Sequence, residues 1–276
     1  MMEARSVSLL HRGRALVDDC SLRLAPGQVT AILGPNGAGK SSLMGLLTGA
    51  RTPDRGAVML GGRPLAYWPG PALARRRAVL DQMPPPAPGM RAVDMVMMGR
   101  DPYMGLESAS DSQGIVEWAL HQAHVTDLAG RIMTTLSGGE QQRVHLARAL
   151  AQIGPLGTAR PGDGAPRVPP VLFLDEPTNN LDLTHQQSVL GVAEDLARAG
   201  AAVCVVLHDP NLALAFAHRA VVLNQGGMVA DGPPHGVLTP RLMKSVFKLD
   251  MTLAKVPDGP SVLVPVPRTA PAEPAV

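Results

Sequence analysis

The sequence predicts an α/β fold in which a largely parallel sheet alternates with helices and is interrupted by a mostly helical segment. Three observations predict it. Val29–Leu33, Val171–Leu174 and Ala202–Leu207 are short, continuous apolar runs, the pattern of strands buried on both faces. Helical spacing follows the first run (Leu43, Leu46, Leu47) and separates the other two (Val189, Val192, Ala193, Leu196). From about residue 84 to 150 the β-branched clusters thin out and the pattern is helical almost throughout.

In chain order, residues 5–33 read as short strands. Val29–Leu33 leads directly into Gly34-Pro35-Asn36-Gly37-Ala38-Gly39-Lys40-Ser41, and the helix behind it is stopped by Gly49. Ala57–Leu60 followed by Gly61-Gly62 reads as a strand and a turn. The breaker run Met83–Gly89 opens the helical insertion, and a second Gly/Pro-rich stretch, Gly154–Pro170, delivers the chain to the strand at Val171. Gly200 closes the helix before Ala202, and Val221–Val229 reads as a late hairpin. The tail, residues 256–276, is rich in Pro, Val and Ala and is expected to be loosely ordered. No internal repeat is present, so residues 1–255 are read as a single domain.

Composition narrows the class. With 45% hydrophobic and 17% charged residues in 276, the chain has enough apolar mass for a core and is not a disordered polyelectrolyte. Aromatics are only 3%, so aliphatic side chains and the fourteen methionines are expected to fill that core. A net charge of +2, with no basic run interleaved with aromatics, argues against a nucleic-acid partner. Arg75-Arg76-Arg77 is the densest basic cluster and reads as a solvated helix face. Cys20 and Cys204 lack metal-ligand spacing and suit a reducing compartment. The N-terminus has no long apolar stretch of the signal-peptide kind, and no apolar run is long enough to cross a bilayer. The expectation is a cytosolic chain, or one held at a membrane through a partner.

Gly34–Ser41 fits G-x-x-x-x-G-K-[ST] at every fixed position. Backbone N–H groups freed by the glycines can ring a phosphate, and the helix beginning near Lys40 adds its positive end. Lys40 would reach the β- and γ-phosphates, and the Ser41 hydroxyl would face Mg²⁺, with Ser42 beside it. Only four of the 25 basic residues are lysines, so one inside this loop stands out. Asp175 and Glu176 close the apolar strand Val171–Leu174. Carboxylates there have two natural tasks: Asp175 holding Mg²⁺, and Glu176 orienting the attacking water.

Leu136-Ser137-Gly138-Gly139-Glu140 is the second constellation. Ser137 with Glu140 three residues on is a capping box opening a helix. Two glycines directly behind the cap cost about 1 kcal/mol each relative to alanine, which suggests that something approaches the backbone closely. A bare helix N-terminus of this kind is a second phosphate site.

With these residues in view, the chain resembles the ABC ATPases. Leu136–Glu140 is their LSGGE signature; Gln82 lies where their Q-loop glutamine lies; Asn179-Asn180-Leu181-Asp182 resembles their D-loop; and His208, directly after a buried strand, resembles their switch histidine. The likeness runs to about residue 255. It implies a P-loop NTPase core with a mixed, mainly parallel sheet, an N-terminal antiparallel β subdomain and an inserted α-helical subdomain. It also implies a head-to-tail homodimer, with ATP between Lys40 of one copy and Ser137–Gly139 of the other. Glu176, His208 and Gln82 would then be catalytic, and Ser41, Gln82 and Asp175 would face Mg²⁺. The helical lobe would receive a coupling helix from a membrane partner. The aromatic that the family stacks on adenine has no counterpart, since residues 1–33 contain no Phe, Tyr or Trp; Leu10 and His11 are the candidates in its place.

One ATPase unit without long coiled-coil arms or a tandem copy resembles the separate ATPase subunit of a bacterial importer, peripheral at the cytoplasmic face of the inner membrane. Its implied partners are two transmembrane permease subunits and a periplasmic binding protein. Leu73–Leu80, Met98-Gly99-Arg100, Gly138–Val144, Leu181–Gln186 and Val206–Leu212 resemble hemin-importer ATP-binding subunits, within a wider group that handles ferric siderophores and cobalamin. The siderophore or cobalamin alternative stays open at this point. His121 and His124, spaced i and i+3, read as a solvated helix face rather than haem ligands.

Overall fold

In the computed structural model, residues 1–82, 88–156, 168–179, 181–256 and 261–267 are described. The chain opens with strands β1 (Met2–His11), β2 (Arg14–Leu24) and β3 (Gln28–Leu33), then helix α1 (Lys40–Thr48). Strands β4 (Arg55–Leu60) and β5 (Arg63–Pro64), the short helix α2 (Gly70–Ala74) and strand β6 (Arg77–Leu80) follow. The helical insertion holds α3 (Ala92–Met97), a 3₁₀ turn at Met98–Tyr103, α4 (Ala109–Gln122) and α5 (Gly138–Ile153). The second half runs β7 (Val171–Asp175), α6 (Leu183–Arg198), β8 (Ala202–Val206), α7 (Pro210–Phe216), β9 (Arg219–Asn224) and β10 (Gly227–Gly232). Two short helices, α8 (Pro234–Val237) and α9 (Pro240–Leu242), precede strands β11 (Met251–Ala254) and β12 (Val262–Pro265).

The central sheet has the order β10-β9-β3-β8-β7-β6, parallel except for the β9–β10 hairpin. Side chains alternate across it with period two. Ile32, Phe173, Cys204 and Val206 face Leu43, Leu46 and Leu47 of α1 and the inner side of an antiparallel sheet ordered β2-β1-β4-β5. Leu33, Leu172, Leu174, Val203 and Val205 face the other way, onto α5 and α6. Both faces are therefore dry, which is why these strands read as unbroken apolar runs.

Several expectations change. The N-terminal strands are long, not short. Their alternation is hidden by register shifts near Ala4, Val7 and Leu9 and by left-handed Ser6 (φ 45°) and Asp19 (φ 44°), which offset the pattern in mid-strand. Arg75–Arg77 is no solvated helix face. Arg76 is buried, with its Nη1 donating to the Val168 carbonyl at 3.3 Å; Arg75 donates to Pro102; and Arg77 begins β6 with its guanidinium held below its ordinary pKa by burial. Within the tail, β12 pairs with β11, so residues 262–265 are built into the fold. Met2, Met44, Met95, Met133 and Met243 are core residues, but Met1, Met97, Met98 and Met104 are exposed. His121 and His124 are both exposed, as expected, but only His121 lies on α4; His124 follows its end in the left-handed region (φ 51°) and is not on a helix face. Asn180, and most of the Gly/Pro-rich stretch before β7, lie outside the described residues.

Candidate active site

The carboxyl ends of four neighbouring strands, β3, β8, β7 and β6, meet at one edge of the central sheet. Open parallel sheets bind ligands at such edges. Gly34 leaves β3 at φ 152°, where a Cβ would lie 2.4 Å from the Leu223 carbonyl; Gly39, at φ 104°, would put one 2.4 Å from that of Leu16. Both positions admit only glycine. The loop is pinned by Gly226 N–H donating to the Ala38 carbonyl at 2.9 Å, and Asp18 N–H to Gly226 at 2.9 Å.

Lys40 is the first residue of α1 and is only 6% exposed. Its ammonium curls back on its own loop, 2.8 Å from the Gly34 carbonyl and 3.2 Å from that of Pro35. Burial lowers its pKa, against the pull of Glu176 and Asp175. Residues Asn36 to Ser42, with Leu16 on one wall and Glu176 on another, line a cleft of about 340 Å³. Leu10 and His11 are exposed at the end of β1, and it is Leu16 that stands against the loop. The apolar wall was missed because a leucine carries no signal of its own in sequence.

Asp175 ends β7, and Glu176 follows in the left-handed region (φ 51°), 8% exposed. Such a backbone is costly for a non-glycine residue and holds only where neighbours enforce it. Here three side chains do. Gln82, beyond the end of β6, donates Nε2 to Glu176 Oε2 at 2.6 Å; Asn179 Nδ2 donates to the same oxygen at 2.5 Å; and His208 Nε2 lies 2.5 Å from Oε1. The His208 contact is an ion pair whenever the imidazole is protonated. Asn179 was placed in the D-loop by sequence; its hold on Glu176, one turn back, is an addition.

Asp175 differs from its neighbour. Its Oδ1 is buried and has no hydrogen-bond partner among the described residues, and burial, then the charges of Glu176 and Asp81, push its pKa up to about 6. A buried unpaired carboxylate oxygen calls for a cation or ordered water. With the Ser41 hydroxyl and the Gln82 Oε1, the donor set would be all hard oxygen, which fits Mg²⁺.

The signature segment forms as its sequence predicts. Ser137 caps α5, its Oγ accepting from Glu140 N–H at 3.3 Å while Glu140 Oε2 accepts from Ser137 N–H at 2.7 Å. Those bonds from Ser137 hold the Glu140 carboxyl below its ordinary pKa. A Cβ on Gly139 would lie 3.0 Å from Leu181, so the bare glycine lets the D-loop pack against the helix start. Gln142 Nε2 donates to the Pro177 carbonyl at 2.7 Å, joining α5 to the acidic loop, and Gln186 of α6 donates to the carbonyls of Thr178 and Leu181, holding that loop from its other end. Asp182 caps α6. Leu136–Glu140 contribute nothing to the cleft around Lys40; within one chain these are two separate surfaces.

A family model for the ABC transporter matches residues 17–156, from β2 to the end of α5. This chain belongs to the ABC transporter family. As an ABC ATPase it binds nucleotide and hydrolyses ATP. The chain is 44% identical over 258 residues to the hemin import ATP-binding protein HmuV of Gloeobacter violaceus, covering 93% of this chain and 90% of the relative. It is 43% identical to the protein so named from Pseudomonas putida, covering 94% and 96%. Among solved structures it is similar to an ABC transporter assigned to the metal-chelate type in an inward-facing conformation, with TM-score 0.77, 26% identity and 97% of both chains covered. A dimeric bacterial ABC transporter cassette shares the fold, with TM-score 0.72 and 24% identity, covering 85% of this chain and 99% of that one.

Proposed function

We propose that this ABC ATPase powers the import of hemin, working as a homodimer on two transmembrane permease subunits at the cytoplasmic face of a bacterial inner membrane, with a periplasmic binding protein delivering the cargo. For the chemistry, the observation that carries the reading is Glu176, fixed by Gln82, Asn179 and His208 on the wall of the phosphate cleft. For the cargo, support comes from relatives named as hemin import proteins at 40–44% identity over most of the chain. The described residues contain no helix long and apolar enough to cross a membrane.

Gly34, Asn36, Gly37, Ala38 and Gly39 present backbone N–H groups to the β- and γ-phosphates, and Pro35, which has no N–H, shapes the turn between them. Lys40 exchanges its two loop carbonyls for phosphate oxygens, and Ser41 and Ser42 flank it on the first turn of α1. Ser41, Gln82 and Asp175 would hold Mg²⁺, which would supply positive charge to offset that of the phosphate groups. Glu176 accepts a hydrogen bond from the attacking water and aligns it with the γ-phosphorus. The water oxygen bonds to phosphorus as the bond to the β-phosphate oxygen breaks, leaving ADP and inorganic phosphate. His208 spans Glu176 and the γ-phosphate. The Leu136–Glu140 segment of the second copy, with Asn179–Asp182 beside it, closes the cleft from the far side. This accounts for two half-sites lying apart in one chain.

On the helical insertion, Met97, Met98, Met104 and Leu106 are exposed, Met104 by 80%. Flexible methionines on such a face suit a coupling helix from the permease. Gln82 lies between this lobe and the nucleotide. The test is the ATPase rate of the subunit co-purified with its permease and loaded binding protein. Stimulation by hemin, and not by a ferric siderophore or cobalamin, is expected. Stimulation by one of the others would reassign the cargo, and failure to co-purify with any membrane partner would defeat the transport reading.

A further inference from the structure

The turn that carries His208 is tied to the C-terminal hairpin by one side chain. Asn211, in the first turn of α7, donates Nδ2 to the Leu263 carbonyl at 3.1 Å and accepts the Leu263 N–H on Oδ1 at 2.8 Å. An amide side chain placed in this way copies the pairing of a neighbouring strand. It satisfies both backbone groups of one residue of β12, on the edge turned away from β11. Leu263 is itself buried, in the core that includes Leu207, Ala213 and Leu214. The contact spans 52 residues of sequence.

The other end of the turn is equally constrained. Asp209 Oδ1 accepts the Asn211 N–H at 2.7 Å and caps α7, and Pro210 fixes one backbone torsion between them. His208 is thus joined to Asn211 through two stiff residues, and Asn211 is clamped to β12. The hairpin has its own anchors: Val266 N–H donates to the Asp250 carbonyl at 2.9 Å, and Lys244 pairs with Asp250 at 2.7 Å. His208 is partly exposed, and its one recorded partner among the described residues is Glu176. Packing does little to aim the imidazole, so the turn must do it.

We propose that Asn211 is a positioning residue for hydrolysis, and that the β11–β12 hairpin is a strap holding the His208 turn in register with Glu176. The inference rests on the reading of His208 given above. It assigns to the C-terminal segment a part in the ATPase cycle, although none of the described hairpin residues lines the nucleotide cleft.

The test compares Asn211→Ala, His208→Ala and the double variant in the full chain assembled with its permease. Steady-state ATPase and the affinity for a non-hydrolysable ATP analogue are measured for each. Asn211→Ala is expected to lower kcat on the order of tenfold while analogue affinity stays within about twofold, because the phosphate loop is untouched. In the His208→Ala background the same change should have little further effect, since residues acting as one unit are not additive. Asn211→Asp, which keeps the acceptor but loses the donor, should also lower kcat at constant affinity. Wild-type kcat in Asn211→Ala, with His208→Ala impaired, would overturn the strap and leave the site reading intact. Full multiplication of the two effects would also overturn it. Wild-type turnover in His208→Ala would remove both.

Discussion

The helical insertion contains a buried ion pair whose removal has a calculable cost. Arg100 donates Nε to Glu107 Oε1 at 2.9 Å and Nη2 to Oε2 at 2.5 Å, and both side chains are 4% exposed. Ser112 Oγ donates to the same carboxylate at 2.5 Å, the guanidinium lies 3.7 Å from the Tyr103 ring centre, and Nη1 donates to the Ala151 carbonyl. Glu107→Ala leaves an uncompensated guanidinium in a dry site, a loss of about 3–5 kcal/mol. For a domain of this size, each kcal/mol lowers Tm by about 2–4 °C, so a drop of roughly 6–20 °C is expected by calorimetry or by dye-monitored melting. Arg100→Met combined with Glu107→Leu should recover much of that loss, because an apolar pair of similar volume avoids the desolvation of both charges. A Glu107→Ala protein melting within about 2 °C of the wild type would refute the reasoning, since it would mean that water reaches the pair.

Two further predictions rest on single groups. Lys40→Ala should weaken ATP binding by about tenfold to a hundredfold in titration calorimetry, the worth of charge-assisted hydrogen bonds to phosphate; unchanged affinity would remove Lys40 from the site. His145, buried in α5 with no partner for Nδ1 among the described residues, has its pKa lowered from 6.5 to about 4 by burial and then by Arg148. The unfolded chain takes up this proton below pH 6.5 and the folded chain only near pH 4, so its contribution is complete above pH 6.5 and is lost as the pH falls through about 4. Urea midpoints should therefore fall across that window in the wild type and less steeply in His145→Leu; parallel slopes would contradict a neutral buried imidazole.

The parts of the molecule that were legible in sequence are those whose signals are local. Strand β3, its glycine loop and α1 occupy consecutive residues, and each glycine answers a backbone need at its own position. The Ser137–Glu140 capping box closes within one turn, and the acidic pair sits on the last residues of an apolar strand. What escaped depends on partners distant in sequence. The burial of Arg76 requires the Val168 carbonyl, 92 residues away, and the order of β12 requires Asn211 rather than any strand pattern in a Pro-rich tail. Bulges and left-handed residues in β1 and β2 broke the alternation that would have revealed their length. Leu16 acquired its place at the cleft only when the hairpin had folded over the loop. The exposed methionines went unrecognised because a methionine looks the same in a core and on a binding face.

The central claim, that Glu176 orients the hydrolytic water at a cleft completed by a second copy, is tested most directly by Glu176→Gln. The substitution keeps shape and one acceptor oxygen while removing the charge that polarises water. ATP binding should persist, turnover should fall by about 10²- to 10⁴-fold, and size-exclusion chromatography in ATP and Mg²⁺ should show a stable dimer. A variant that hydrolyses ATP near the wild-type rate and remains monomeric with ATP would contradict the account.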